Sequence, residues 1–145
     1  MSLNRIVSVL VIGAVAFVAM AARADDQDDI DYRQHIMNTL DEQMAAIQQI
    51  VQHRAPVDNL SIHLQIVAVT AATAKDAFTA KVPGGRAKPA VWANWTDFSK
   101  RLDELVASTA ALARSAKDTG VEATAAKLGT LNCKGCHDIY LEEKK

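Results

Sequence analysis

The chain is poor in the residues that interrupt, cross-link or fill a fold. Of 145 residues two are cysteine, three are proline and six are glycine, and aromatic side chains make up 5%. Two cysteines exclude a disulfide framework, and a bridge between Cys133 and Cys136 would constrain little of the unfolded chain. With His137 they supply at most three zinc ligands, and no second cysteine pair exists. Val82-Pro83-Gly84-Gly85 is the only Pro/Gly-dense stretch, a loop too short to separate domains. Charge is nearly balanced, with 16 Lys and Arg against 17 Asp and Glu. That excludes a strongly basic nucleic-acid surface and argues against an anionic membrane partner. No stretch alternates with period two over a useful length, so no strand is expected, and a thioredoxin-like redox pair has no βαβ frame to sit in.

What is present is helical periodicity. From Asp28 to about His53, Met37, Leu40, Met44, Ile47 and Val51 recur at steps of three and four. The acidic start suits the positive end of a helix dipole, and Pro56 discourages helix in the residue before it. A second helix is predicted from Asp58, its expected N-cap, to Ala80, with Leu60, Leu64, Val67, Ala71, Ala74 and Phe78 on one face. Pro89 suits the first turn of a third, whose face is Trp92, Trp95, Phe98, Leu102, Leu105, Thr109, Leu112 and Ala116. After a turn at Asp118-Thr119-Gly120, Thr119 and Glu122 match a capping box and open a fourth, carrying Val121, Ala125, Leu128 and Leu131. Four helices on short connections predict an all-α protein, an antiparallel up-down-up-down four-helix bundle.

The first residues read as a secretory signal. Arg5 is followed by an uncharged apolar stretch, Ile6 to Met20, and Ala22-Arg23-Ala24 is a small-x-small cleavage site before an acidic run. The apolar run is short for a membrane span. The expected organisation is a cleaved signal peptide over residues 1–24 and one domain over residues 25–145, soluble and in the periplasm. Cleavage removes Arg5 and Arg23, leaving 14 basic residues against 17 acidic ones.

Near the end of the fourth helix stands Cys133-Lys134-Gly135-Cys136-His137. Two thiols on one helical turn, followed at once by an imidazole, are what covalent haem attachment requires: two thioethers to the vinyl groups and a proximal ligand under the iron. Gly135 keeps the space between the thioethers free of side chain. The expected cofactor is one covalent haem c per chain, with His137 on the metal. In an antiparallel bundle the second axial position faces residues early in the first helix. Met37 lies about level with the motif, whereas Met44 is two turns, about 10 Å, deeper. A thioether suits haem iron and raises its potential, but methionine is equally a core gap-filler. His35 lies off the Met37 stripe, His53 is at a helix end, and His63 is far from the haem end. Trp92 and Phe78 flank the loop nearest that end.

The chain resembles the class II c-type cytochromes, the family of cytochrome c-prime and its low-spin relatives. The residues that carry the resemblance are Tyr32-Arg33-Gln34 with Met37, then Arg86 to Trp92, then Cys133 to His137 with Asp138 and Tyr140, spread over nearly all of residues 25–145. The resemblance implies a left-handed four-helix bundle, often a homodimer through the first two helices. It also implies a haem propionate near Arg33 and Gln34, whose fork and amide suit a carboxylate. Two mechanisms occur in the family: a methionine at the Met37 position ligates iron in electron carriers, or packs over an open face that binds NO or CO. Such c-prime members usually carry Arg or Lys after the tyrosine; here Leu141 stands there, which tilts the expectation towards ligation.

The sequence therefore predicts a one-electron carrier cycling Fe(III)/Fe(II) with redox partner proteins, with an open-faced NO- or CO-binding protein as the alternative. No distal acid–base pair suggests an enzyme. Because large apolar side chains are few, haem is expected to complete the core, in the manner of a ligand that binds only the folded state. A Cys133→Ala, Cys136→Ala double variant is expected to lose cooperative melting by circular dichroism. A native-like transition would count against this.

Overall fold

The computed structural model describes residues 3–143 along the backbone, with side chains described for residues 26–143. The signal peptide expected over residues 1–24 lies outside those fully described residues. Helix α1 spans Leu3–Val51, so the helix expected from Asp28 belongs to a longer one. Helix α2 spans Leu60–Ala77, α3 Ala90–Ala93, α4 Trp95–Leu128 and α5 Cys133–Tyr140. No strand occurs among the described residues, only isolated bridges joining Gly84 to Ala87 and Ala87 to Leu141. No helix among the described residues is long and apolar enough to cross a membrane. The arrangement is an all-α four-helix bundle: the described part of α1, then α2, then the two legs of α4, the second continued by α5.

Each helix stops for a local reason. At the end of α1, His53 takes the left-handed conformation (φ 55°), while its N–H donates to the Ile50 carbonyl at 2.9 Å and the Arg54 N–H to the Gln49 carbonyl at 2.9 Å. That pair of bonds is a Schellman motif with histidine where glycine is usual. Helix α2 begins later than expected, because Val57–Asn59 form a 3₁₀ turn and neither Asp58 nor Asn59 makes a side-chain cap. It also ends earlier: the N–H groups of Phe78 and Thr79 bond three residues back, unwinding the last turn as Phe78 enters the core. The third helix is interrupted at Asn94 (φ −116°, ψ 43°), which separates Trp92 from Trp95. The legs of α4 meet at Gly120 (φ 87°, ψ −178°). Thr119 still belongs to the first leg, with its hydroxyl donating to the Ser115 carbonyl at 2.8 Å, so the expected Thr119–Glu122 capping box does not form.

Burial divides into two clusters. Towards the α1–α2 turn, Ile47, Ile50, Leu60, Leu64, Val67, Leu112, Ala113 and Val121 pack together, with Met44 and Leu131 against them. At the other end Ile36, Ala74, Ala77, Phe78, Val91, Phe98, Leu102 and Tyr140 form the second, flanked by the half-buried Met37, Leu40, Trp92, Trp95 and Cys136. The buried stripe of α1 is thus centred on Ile36, Ile47 and Ile50, with the expected Met37, Leu40, Met44 and Val51 half-buried beside it. Helix α2 packs on both α1 and α4, while α5 leans on α3 and α4.

The Gly120 backbone lies in a region essentially closed to residues with a Cβ. Gly120→Ala is expected to destabilise the fold by about 1–3 kcal/mol, read as a lower urea midpoint at unchanged slope. An unchanged midpoint would contradict it.

Candidate functional site

Helix α5 is eight residues long and carries both thiols and His137. An isolated helix of that length does not form in water, so its neighbours must hold it. At its start Asn132 accepts a hydrogen bond from the Gly135 N–H at 3.0 Å, an N-cap. A side chain at position 135 would collide with that Asn132 amide, which is the visible reason for Gly135. The fourth helix is therefore not continuous into the motif as expected: Gly129–Asn132 break it, and α5 starts afresh.

At its end α5 is tied to the loop before α3. The Lys88 N–H donates to the Tyr140 carbonyl at 2.9 Å, and the Glu142 N–H to the Arg86 carbonyl at 2.8 Å. Arg86 Nε returns to the Glu142 carbonyl at 3.0 Å, and Lys88 Nζ reaches the Asp138 carbonyl at 3.0 Å. Tyr140 is buried, edge-on to Phe98 with centroids 5.1 Å apart, and its hydroxyl donates to Asp97 Oδ2 at 2.6 Å. The same oxygen accepts from Arg101 Nε at 2.6 Å. The hydrogen bond from Arg101, then that from Tyr140, holds the Asp97 carboxyl below its usual range. Leu141 leaves no cation after the tyrosine, but Arg101 stands close enough to Cys136 for its charge to act on that thiol.

Both cysteines are free, Cys133 exposed and Cys136 half-buried against the aromatic cluster. Desolvation pushes both thiols up from their ordinary value, so they are protonated at neutral pH. Positions 133 and 136 share one helix face, and His137 is exposed. Met37 packs against the same cluster as Cys136, while Met44 belongs to the far one.

Arg33, expected beside a propionate, is only 3% exposed. Its Nη1 donates to the Val82 carbonyl at 2.9 Å and Nη2 to the Gly84 carbonyl at 3.3 Å, with the guanidinium over the Phe78 and Trp92 rings at 5.2 and 5.5 Å. Burial lowers its pKa, opposed by Asp29. Trp92 Nε1 donates to the Phe78 carbonyl at 2.9 Å, which ties these two aromatics together at this end. Gln34 is exposed and lies beside Gly85. His35 is exposed, His53 faces Glu122 at 3.8 Å, and His63 Nδ1 pairs with Gln43 at 2.7 Å. Sequence reasoning gave no role to Asn132, Asp97 or Arg101. The first had a readable signal, an asparagine directly before a helix start. The other two read as an ordinary i,i+4 surface pair, and nothing in the sequence linked them to Tyr140.

The family model described as Cytochrome C' matches residues 28–141. Cytochrome c' of Alcaligenes xylosoxydans xylosoxydans is 24% identical over 83% of this chain and 98% of its own length. Cytochrome c-556 of Agrobacterium fabrum (strain C58 / ATCC 33970) is 27% identical over 99% of both chains. Among solved structures, ferric cytochrome c prime from Alcaligenes xylosoxidans superposes with TM-score 0.74 at 22% identity, covering 82% of this chain and 97% of that one. A nitric oxide complex of a single-residue variant of the same protein does so with the same score, identity and coverage. The chain belongs to the cytochrome c-prime family, whose members bind covalent haem c. The donor set fits that cofactor: two protonated thiols one turn apart, an exposed imidazole beside them, and a border of half-buried apolar side chains.

Asp97 is stabilised as the carboxylate in the fold, so its contribution exists above the unfolded carboxylate range and disappears as pH falls through its lowered value. Asp97→Asn is expected to melt below wild type at pH 6, with the difference closing as pH drops below about 4. A difference that persists in acid would contradict this linkage.

Proposed function

We propose that this protein is a periplasmic one-electron carrier, exported by a signal peptide over residues 1–24. Cys133 and Cys136 would hold the haem by adding each S–H across a vinyl group, and His137 would be the proximal ligand. Bound there, the cofactor supplies the Fe(III)/Fe(II) couple. The chain's own residues orient it, bury one face and provide axial donors, which is how a protein sets a potential. In this reading Met37 would supply the iron with a second donor, its thioether sulfur. The observation that supports it is the packing of Met37 against the cluster that holds Cys136 and Tyr140, with Met44 in the other cluster. A neutral thioether in that position favours the reduced iron.

Arg33 and Gln34 would serve the propionate edge. Gln34 is exposed there, and the buried Arg33 one residue before it adds positive charge on the same helix face. No catalytic residue enters this reading, and the partners are redox proteins. The exposed Ile62 and Val69 on α2 support pairing of two chains into a homodimer. The second reading, an open iron face that takes NO or CO, is favoured by the similarity to a protein solved as its nitric oxide complex.

Spectroscopy separates the two. The ferric protein is expected to be low-spin with a far-red sulfur-to-iron band, and Met37→Ala is expected to abolish the band and speed CO uptake by the ferrous form. A high-spin wild type with rapid, tight CO binding favours the gas binder, and a band that survives Met37→Ala excludes Met37 as the ligand.

A further inference from the structure

We infer that Arg33 is a positioning residue: with the loop over residues 82–88 it forms a strut that fixes the spacing between α1 and α5, and so between Met37 and His137. The inference rests on the reading of Met37 as an iron ligand.

A guanidinium this deeply buried is costly without partners. Among the described residues no carboxylate lies within salt-bridge distance of Arg33. Its partners are instead two carbonyls some fifty positions away, Val82 and Gly84. The Gly84 carbonyl also accepts the Ala87 N–H at 3.3 Å, and Ala87 bridges to Leu141 just beyond α5. From Lys88 the path enters α5 at the Tyr140 and Asp138 carbonyls, and from Arg86 it reaches the Glu142 carbonyl just beyond the helix. One run of hydrogen bonds therefore joins the helix bearing Met37 to the helix bearing His137.

The loop also lies directly on α1. A Cβ at Gly84 would stand 2.7 Å from Ile30 Cδ1, and one at Gly85 would stand 2.9 Å from Gln34 Nε2. Ile30, Arg33, Gln34 and Met37 follow the i, i+3, i+4, i+7 spacing of one helix face. The loop therefore seats on α1 in the turn directly before Met37, with Arg33 clamped between Phe78 and Trp92. A ligand site is productive only when held within about 0.5 Å. Helix α5 itself packs on α3 and α4; the strut adds a direct tie from α5 back to α1.

The test uses the haem-loaded, full-length protein in five variants, read by the ferric far-red band, the ferrous CO association rate and far-ultraviolet circular dichroism. Arg33→Met keeps the stacked stem and removes the donors, and Arg33→Lys keeps the charge with fewer donors. Arg86→Ala weakens the far end of the strut by removing the side-chain bonds to the Glu142 carbonyl, while the backbone bonds of Arg86 and Lys88 remain. Met37→Ala marks complete loss of ligation. Lys75→Ala, which removes an exposed ion pair with Asp103, is the control. Arg33→Met is expected to lose most of the band and to take up CO about tenfold faster or more, and Arg86→Ala, which keeps the backbone tie, to lose part of the band, both at unchanged helix content. Arg33→Lys should recover part of both, and Lys75→Ala should match wild type. Should Arg33→Met fail to fold, Arg86→Ala decides. A wild-type band that survives intact in the folded strut variants overturns the strut alone. A wild type without the band, matching Met37→Ala, overturns the ligation reading and the strut with it.

Discussion

Everything at the functional end depends on keeping an eight-residue helix in place. Alone, α5 would lie far below the length at which helices persist in water. Three attachments of different kinds replace length: the Asn132 cap at its start, the backbone pairing of residues 86–88 with its end, and the Tyr140 side chain between Phe98 and Asp97. The last of these shares the helix face of the thiols and imidazole. Cys133, Cys136, His137 and Tyr140 follow the i, i+3, i+4, i+7 spacing, and Cys136 packs on the cluster that holds Tyr140. The reactive groups are thus presented next to the anchor itself: Tyr140 and Cys136 hold one edge of that face against the core, and Cys133 and His137 remain exposed.

The two clusters show how the bundle divides its labour. Ile47, Ile50, Leu60, Leu64 and Val67 are almost completely buried, each such side chain being worth on the order of 1.5–3 kcal/mol. That end closes without help. At the other end Met37, Leu40, Trp92, Trp95 and Cys136 remain half-buried, apolar surface that a macrocycle would cover. Alanine at Ala74 and Ala77 lets α2 approach closely there, so the large groups that remain are aromatic and gathered around Arg33 and Tyr140.

Much of this was legible in the sequence because it follows from periodicity and one motif. The stripes of α2 and of the first leg of α4 fall where their spacing put them, and Cys133, Cys136 and His137 share one short helix. What escaped was tertiary. Arg33 has a role in the sequence only through the resemblance, as a neighbour of a propionate; its burial escaped because its partners are carbonyls of a loop that sequence spacing cannot bring to it. Thr119 reads as a cap, yet Gly120, with a backbone open only to glycine, takes the whole turn on one residue. Asn94 breaks a helix whose apolar pattern runs on unbroken, since the pattern records which face is buried and not whether the backbone between turns is regular.

The central claim is that Met37 on α1 and His137 on α5 would both serve as donors to one iron. X-ray absorption at the iron edge of the ferric, haem-loaded protein reads this directly. The account predicts one sulfur and one axial imidazole nitrogen in the first coordination shell. A shell of nitrogens alone, or five-coordinate iron, would contradict it.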